Sequence, residues 1–261
     1  ILYHPVIKVL PTIPPQVAAC FERALGASEQ GDHALALEVL AAGAVADIQQ
    51  HQQATLGSAP GLAHVAALAG RLLAAALSPE HAAWHAASQK GAAATDPVAI
   101  VVPSIVQGQA ISENALRLTA ALLGDGQRVH FLITEEQTAR TPPCGFLRYL
   151  DVPSSREGAP LLSRLVEMAA AASGRLTLSM LATCGTYLDA AREAIAHLRS
   201  LHPRTCLFFG NASCPITLAM AWGRVATRQV SLSMGVPLVV AGVVAFSCYY
   251  TRKCGRVGGA V

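Results

Sequence analysis

Three predicted loops of this chain carry small residues, hydroxyl groups and side-chain amides, each directly before a predicted helix. These residue types donate and accept hydrogen bonds without carrying charge. Beside a helix N-terminus, where free N–H groups create a partial positive charge, they suit the binding of a sugar hydroxyl or a phosphate. The candidate substrate-binding residues are Gln107, Gly108, Gln109, Gly185, Thr186, Asn211 and Ser213.

The same loops offer no residue that can be named as a catalytic base. Their acidic candidates are Glu113 and Asp189, and both are better explained as residues of a first helical turn. His81 and His85 have a spacing that zinc ligands use, but no third ligand accompanies them. We therefore predict a solvated helix face at these histidines, and no metal site.

Two further reactive side chains are expected to be structural. Cys184 has no base beside it and the chain has no G-x-S-x-G motif, so a buried thiol is predicted there rather than a nucleophile. His130 lies at the head of a predicted strand, away from the loops, and is interpreted as a core or edge histidine. A dinucleotide-binding loop is also disfavoured, because Gly108 stands alone where G-x-G-x-x-G is required.

Strands and helices alternate in the second part of the chain. Residues 98–102 are a continuous apolar run, typical of a strand buried on both faces, and residues 129–134 supply the next strand after a helix that Ser112 is expected to cap. This alternation predicts an α/β fold, a Rossmann-like parallel sheet with helices on both faces. The three loops should then share one cleft at the carboxyl edge. Further strands are predicted at residues 176–181, 205–209 and 228–232.

The first part of the chain predicts an all-α extension in front of this sheet. Its alanine-rich helical patterns are separated by signals that include Gly43 and the Ser78-Pro79 pair. Residues 24–40 resemble part of a tetratricopeptide repeat, although no second copy follows. The predicted units are a helical extension at 1–95, an α/β domain at 96–238, and a truncated or divergent tail at 239–261.

Composition narrows the class of protein. The hydrophobic content is 52%, charged residues make up 13% and the net charge is only +3, so a large core is available and a nucleic-acid partner is not expected. The 7 cysteines are odd in number and form no C-x-x-C pair. Such a pattern is typical of reduced thiols, and it predicts a cytoplasmic protein.

Two stretches of the α/β part carry a family resemblance. The first runs Ile100-Val-Val-Pro-Ser-Ile-Val-Gln-Gly-Gln-Ala-Ile-Ser-Glu-Asn, and the second runs Leu207-Phe-Phe-Gly-Asn-Ala-Ser-Cys-Pro-Ile-Thr, followed by Val230-Ser-Leu-Ser-Met-Gly-Val-Pro. Residues 96–238 resemble the N-terminal Rossmann-like domain of a GT-B glycosyltransferase. The likeness is closest to bacterial enzymes with a helical extension before that domain.

The resemblance implies a cleft enzyme that transfers a sugar from a nucleotide sugar to an acceptor hydroxyl or amide, with no cofactor and no required metal. In that family the N-terminal domain mainly holds the acceptor, and a second Rossmann-like domain grips the nucleotide sugar. After Pro237 only 24 residues remain, fewer than a second domain needs. We therefore expect the chain to be an incomplete glycosyltransferase that lacks its donor half.

Two alternatives from other classes stay open. One is a non-catalytic helical-repeat module that binds a protein partner through residues 1–95. The other is membrane anchoring through residues 229–250, which carry no charge and precede Arg252 and Lys253. Because Pro237 interrupts that run, we favour two buried strands, at 229–232 and near 239–246, over a spanning helix.

Overall fold

The computed structural model of the chain describes residues 13–50, 55, 59–87, 96–136, 156, 158–181, 185–210, 213–232 and 246–247. The helices within these residues are α1 (Pro15–Glu29), α2 (His33–Gln50), α3 (Ala59–Ala87), α4 (Ala110–Gly124), α5 (Ala159–Ala171), α6 (Tyr187–Leu201) and α7 (Pro215–Trp222). The strands are β1 (Val98–Val102), β2 (Val129–Ile133), β3 (Leu176–Met180), β4 (Thr205–Phe208), β5 (Arg228–Ser231) and β6 (Phe246–Ser247).

The strands form one sheet in the order β3-β2-β1-β4-β5-β6, and every neighbouring pair is parallel. Central strand β1 pairs with β2 on one side, Val98 facing Val129, and with β4 on the other, Val98 facing Thr205. All five residues of β1 are buried, as expected for a strand covered on both faces. The α/β class and the parallel sheet flanked by helices are therefore confirmed.

Alternate residues of β1 feed two separate hydrophobic cores. Ala99 and Val101 face the core that contains α6 and α7, whereas Ile100 and Val102 face the core that contains α4 and α5. This alternation follows from the period of two along a strand. Because both faces are covered, the polar edge at which the strands end is the place for a ligand to approach the sheet.

Helices α1, α2 and α3 contribute side chains to the core that α6 and α7 cover. The break predicted at Gly43 is wrong, because α2 runs unbroken through it. A Cβ atom at this position would lie 2.9 Å from Cys20 Cβ and from a ring carbon of Phe21, so the glycine serves close packing of α1 on α2. The break at Ser78-Pro79 is also wrong, since α3 continues through both residues, just after the buried Leu72, Leu73 and Leu77.

The predicted strand at 229–232 is confirmed by β5, which pairs with β4. The chain then returns to the sheet, since Phe246 and Ser247 form β6 beside β5. The second buried strand, predicted near 239–246, meets β6 at Phe246; the rest of that range, and Pro237, lie outside the described residues. Among the helices that the structure describes, none combines the length and the apolar character that crossing a membrane would require.

Candidate ligand crevice at the carboxyl edge of the sheet

The order of the strands reverses between β1 and β4, which are neighbours although 107 residues separate Val98 from its partner Thr205. Helix α4 leaves β1 toward one face of the sheet, and α7 leaves β4 toward the other. Between two such connections a crevice opens beyond the carboxyl ends of the strands, and α/β proteins bind ligands there. The loops at residues 103–109 and 209–214 are therefore the first candidates for a binding site.

The loop after β1 has a fixed base and an exposed tip. The Val106 amide donates to Ser112 Oγ at 2.9 Å, and the Gln109 amide donates to the Val106 carbonyl at 3.3 Å. Gln107 and Gly108 are exposed, and Gly108 has a φ of +79°, which glycine adopts without strain. The tip thus presents a side-chain amide and backbone groups to solvent from a position that the rest of the loop holds in place.

Gly158, just before α5, packs against the same loop. An ideal Cβ atom at Gly158 would overlap the Ile105 carbonyl oxygen, far inside any allowed contact. The backbone before α5 therefore lies directly against the backbone of the β1 loop, an approach that only glycine permits. Ser104 and Ile105, at the base of the loop, are buried.

Helix α4 begins with amides that no carbonyl of the helix can satisfy. Its first internal hydrogen bond runs from the Glu113 amide to the Gln109 carbonyl at 3.1 Å, so the amides of Ala110, Ile111 and Ser112 point past the helix end. The N-cap is Gln109 rather than Ser112, and its side chain caps none of the described amides. The cap predicted at Ser112 is wrong, because that hydroxyl lies inside the first turn and holds the loop at Val106.

Helix α7, on the other side of the crevice, has its N-terminus filled by a carboxylate of the chain itself. Glu136 Oε2 accepts from the amides of Ile216 at 2.7 Å and Thr217 at 3.1 Å. Its Oε1 accepts from Thr134 Oγ1 at 2.8 Å and from Thr217 Oγ1. Pro215, the first residue of α7, has no N–H, and the Leu218 amide donates to the carbonyl of the N-cap Cys214 at 2.9 Å.

Burial of Glu136 raises the pKa of its carboxyl group, and the four hydrogen bonds from Thr217, Thr134 and Ile216 oppose that rise. The preceding residue, Glu135, is also buried and has a φ of +55°, a left-handed backbone that is uncommon outside glycine. Backbone strain of this kind persists only where the surroundings impose it, and it is frequent at functional sites. The end of β2 is thus a buried acidic turn beside the crevice.

The loop before α6 reaches the same acidic turn. Thr186 and Asp189 form a capping box, as predicted, with the Asp189 amide donating to Thr186 Oγ1 at 3.1 Å. Tyr187, the first residue of α6, donates its hydroxyl to the Glu136 carbonyl oxygen at 3.3 Å. Gly185 is exposed with a φ of +84°. Strand β3 itself lies at the edge of the sheet, separated from β1 by β2.

Six of the seven predicted substrate-binding residues lie within the described part of the chain. Gln107, Gly108 and Gln109 lie on the β1 loop, Ser213 is buried just before α7, and Asn211 lies outside the described residues. Gly185 and Thr186 lie farther along the same edge, before α6. The shared cleft of Gly108 and Asn211 stays a prediction.

Glu135 and Glu136 are the site residues that the sequence reasoning missed. A signal was present, since both lie within three residues of the end of β2 and so stand at the carboxyl edge where ligands bind. Hydrophobic periodicity ends at Ile133 and gives no information about side chains beyond it. His130 is 3% exposed within the sheet, which agrees with its interpretation as a core or edge histidine.

Within the ranges that the structure describes, no group of three or more His, Cys, Asp and Glu side chains could hold a metal ion. Comparison with models of protein families found no match, and searches of curated proteins and of solved structures found none either.

Proposed function

We propose that this chain supplies the acceptor-side α/β domain of a GT-B-type glycosyltransferase. The observation that carries the proposal is the contrast between the two helix N-termini at the crevice. In a donor-side domain a helix N-terminus neutralises the diphosphate of the nucleotide sugar. Here the N-terminus of α7 already holds the Glu136 carboxylate, which would repel a second anion.

A neutral acceptor suits the remaining groups better than a diphosphate does. Gln107 and Gln109 offer side-chain amides, and the amides of Ala110 and Ile111 at the start of α4 offer two donors to a hydroxyl or carbonyl oxygen. Neutral hydrogen bonds of this kind orient a sugar or peptide acceptor without needing a counter-charge. A second domain, facing the crevice, would then hold the nucleotide sugar.

The helices α1, α2 and α3 are, in this proposal, the extension predicted for residues 1–95. Because they share a core with α6 and α7, they would stabilise the sheet from one side in addition to any protein partner they bind. The free thiols of Cys20 and Cys206 suit a reducing compartment, and we propose that the protein acts in the cytoplasm.

The proposal is tested by titrating the isotope-labelled chain with methyl glucoside and, separately, with UDP-glucose. We expect the glycoside to shift the amide resonances of residues 107–112. The complex with UDP-glucose should be weaker than about 1 mM by calorimetry. Gln109→Ala should weaken the glycoside complex several-fold, whereas Gln30→Ala, at the exposed end of α1, should leave it unchanged.

Two results would refute the assignment. A tight complex with UDP-glucose, or release of UDP in the presence of any acceptor, would contradict the assignment of this chain to the acceptor side. Glycoside-induced shifts confined to residues far from the β1 loop would place the ligand elsewhere.

A further inference from the structure

Two histidines meet on the sheet face that α6 covers, at the opposite end of β2 from the crevice. His130 Nε2 on β2 lies 3.1 Å from His197 Nε2 on α6, and the ring centroids are 4.9 Å apart. His130 Nδ1 lies 2.8 Å from Thr177 Oγ1, and His197 Nε2 lies 3.2 Å from Ser179 Oγ. Both hydroxyls belong to the edge strand β3, so the cluster joins three elements.

The contact between the two rings depends on their protonation. At 3.1 Å one Nε2 atom must donate and the other must accept, so only one of them can carry a proton. When both rings are charged, two N–H groups face each other and two positive charges stand within hydrogen-bonding distance. Because His130 is buried, water cannot screen that repulsion.

Among the described residues, no acidic group forms an ion pair with either imidazole. Arg128 and Arg175 stand two residues before His130 and Thr177 in the sequence, and both are cations. The Arg175 guanidinium donates to the Leu123 carbonyl at 2.7 Å. Glu193, one turn before His197 on α6, is exposed. On β1 the residue that pairs with His130 is the apolar Ala99.

We propose that the His130–His197 contact is an acid-sensitive latch, closed at neutral pH, that fastens the edge strand β3 and helix α6 to β2. Acid opens the latch by charging both imidazoles. The opening matters for the crevice because α6 begins at Tyr187, whose hydroxyl reaches the Glu136 carbonyl. Loss of the latch at one end of α6 therefore loosens the helix that contacts the acidic turn at its other end.

The pKa of His130 supports this behaviour. Burial, and secondly the neighbouring His197, lower it from the ordinary 6.5 to about 4. Because the pKa of His130 is lower in the folded state, the unfolded chain binds a proton at this residue below pH 6.5 whereas the folded chain does not. Stability is thus present above pH 6.5 and is lost as the pH falls toward about 4.

The test is the folding equilibrium constant, from urea denaturation of the whole chain at pH 7.5 and 5.0. The folding equilibrium constant of the wild type should fall roughly thirtyfold between these pH values by proton linkage at His130. In His130→Gln the fall attributable to this group should be less than about threefold. In His197→Gln it should be intermediate, because the repulsion between the rings is gone while the burial of His130 remains. His202→Asn, an exposed left-handed residue at the end of α6, is the matched control and should keep the wild-type loss.

Hydrogen exchange on wild type separates a latch from a uniform acid effect, and it needs no variant to fold. After correction for intrinsic rates, amides of Leu176–Met180 and Tyr187–Leu201 should lose protection at pH 5.0 before those of Ala110–Gly124 do. The latch is refuted if all three segments lose protection together. It is equally refuted if His130→Gln keeps the thirtyfold loss, or if His197→Gln behaves as wild type.

Discussion

The N-termini of α4 and α7 flank the same crevice and follow neighbouring parallel strands, yet they treat their free amides in opposite ways. At α7 the first residue is Pro215, and the next two amides donate to Glu136. At α4 the corresponding three amides point past the helix end, and the N-cap Gln109 caps none of the described amides. Among the described residues, a carboxylate of the chain closes one helix start, and no side chain caps the other.

This difference shows that a helix N-terminus beside the point where the strand order reverses is not by itself a phosphate-binding site. Its availability depends on side chains from elsewhere in the sequence, and Glu136 is separated from α7 by nearly 80 residues. A carboxylate in that position has two effects. It satisfies buried donors that the fold would otherwise leave unpaired, and it makes the crevice less favourable for a second anion.

The largest expected effect comes from removing the carboxylate that closes α7. Glu136→Ala leaves the buried amides of Ile216 and Thr217 and the Thr134 hydroxyl without this acceptor, and we expect a loss of about 3 kcal/mol in the free energy of unfolding. Glu113→Ala is the matched change at the start of α4. Its ion pair with Arg164 is 3.7 Å long and partly exposed, so a loss below about 0.5 kcal/mol is expected. Equal losses in urea denaturation would abolish the distinction between the two helix starts.

A smaller difference in stability is expected when the glycines of the two flanking loops, Gly210 and Gly108, are each replaced by alanine. A Cβ atom at Gly210 would lie 2.7 Å from Thr217 Cγ2, at the closed helix start, so Gly210→Ala should cost about 2 kcal/mol through overpacking. At Gly108 nothing lies within 4 Å of the added atom, and Gly108→Ala should cost only about 1 kcal/mol, from its φ of +79°. Thermal or urea denaturation of the pair checks the order, and a costlier Gly108→Ala would mean that the β1 loop is the tighter of the two.

The smallest expected effect is a pH dependence at Glu136. Because burial raises its pKa above the ordinary 4.5, its contribution to stability is fully present below pH 4.5 and is lost as the pH rises through the folded-state value. The neutral Glu136→Gln variant lacks this loss, so its deficit in stability relative to wild type should shrink between pH 4 and 8. Urea denaturation across that range measures the deficit, and Glu113→Gln serves as the exposed control. A deficit that grows with pH would show that the amides of α7 favour the ionised form more strongly than burial opposes it.

The parts of this fold that follow from local pattern were predictable. The apolar run at β1 gave the strand with its observed bounds, and the spacing of Thr186 and Asp189 gave the capping box of α6. The alternation of strands with helices gave the parallel sheet. Each of these depends on residues close together in the sequence, so the sequence alone carries the physical information.

The predictions that were wrong concern residues whose roles depend on contacts with distant parts of the sequence. Gly43 looked like the end of a helix, but its missing Cβ makes room for Phe21 of another helix. Ser112 looked like an N-cap, but its hydroxyl holds the Val106 amide of the preceding loop. The closure of α7 by Glu136 could not be read from either segment, because nothing in local periodicity says where a side chain beyond the end of a strand will reach.

The position of β1 between β2 and β4 has a consequence for the route by which the chain folds. Pairing Val98 with Val129 closes a stretch of 31 residues, whereas pairing it with Thr205 closes 107. By loop-closure entropy alone the second pairing costs about 1 kcal/mol more than the first. The crevice lies on the boundary that this second, long-range pairing creates, so a chain that has joined only β1 and β2 has two of its six strands paired and no crevice. Recognition of a ligand is therefore confined to molecules in which the two halves of the sheet have already met.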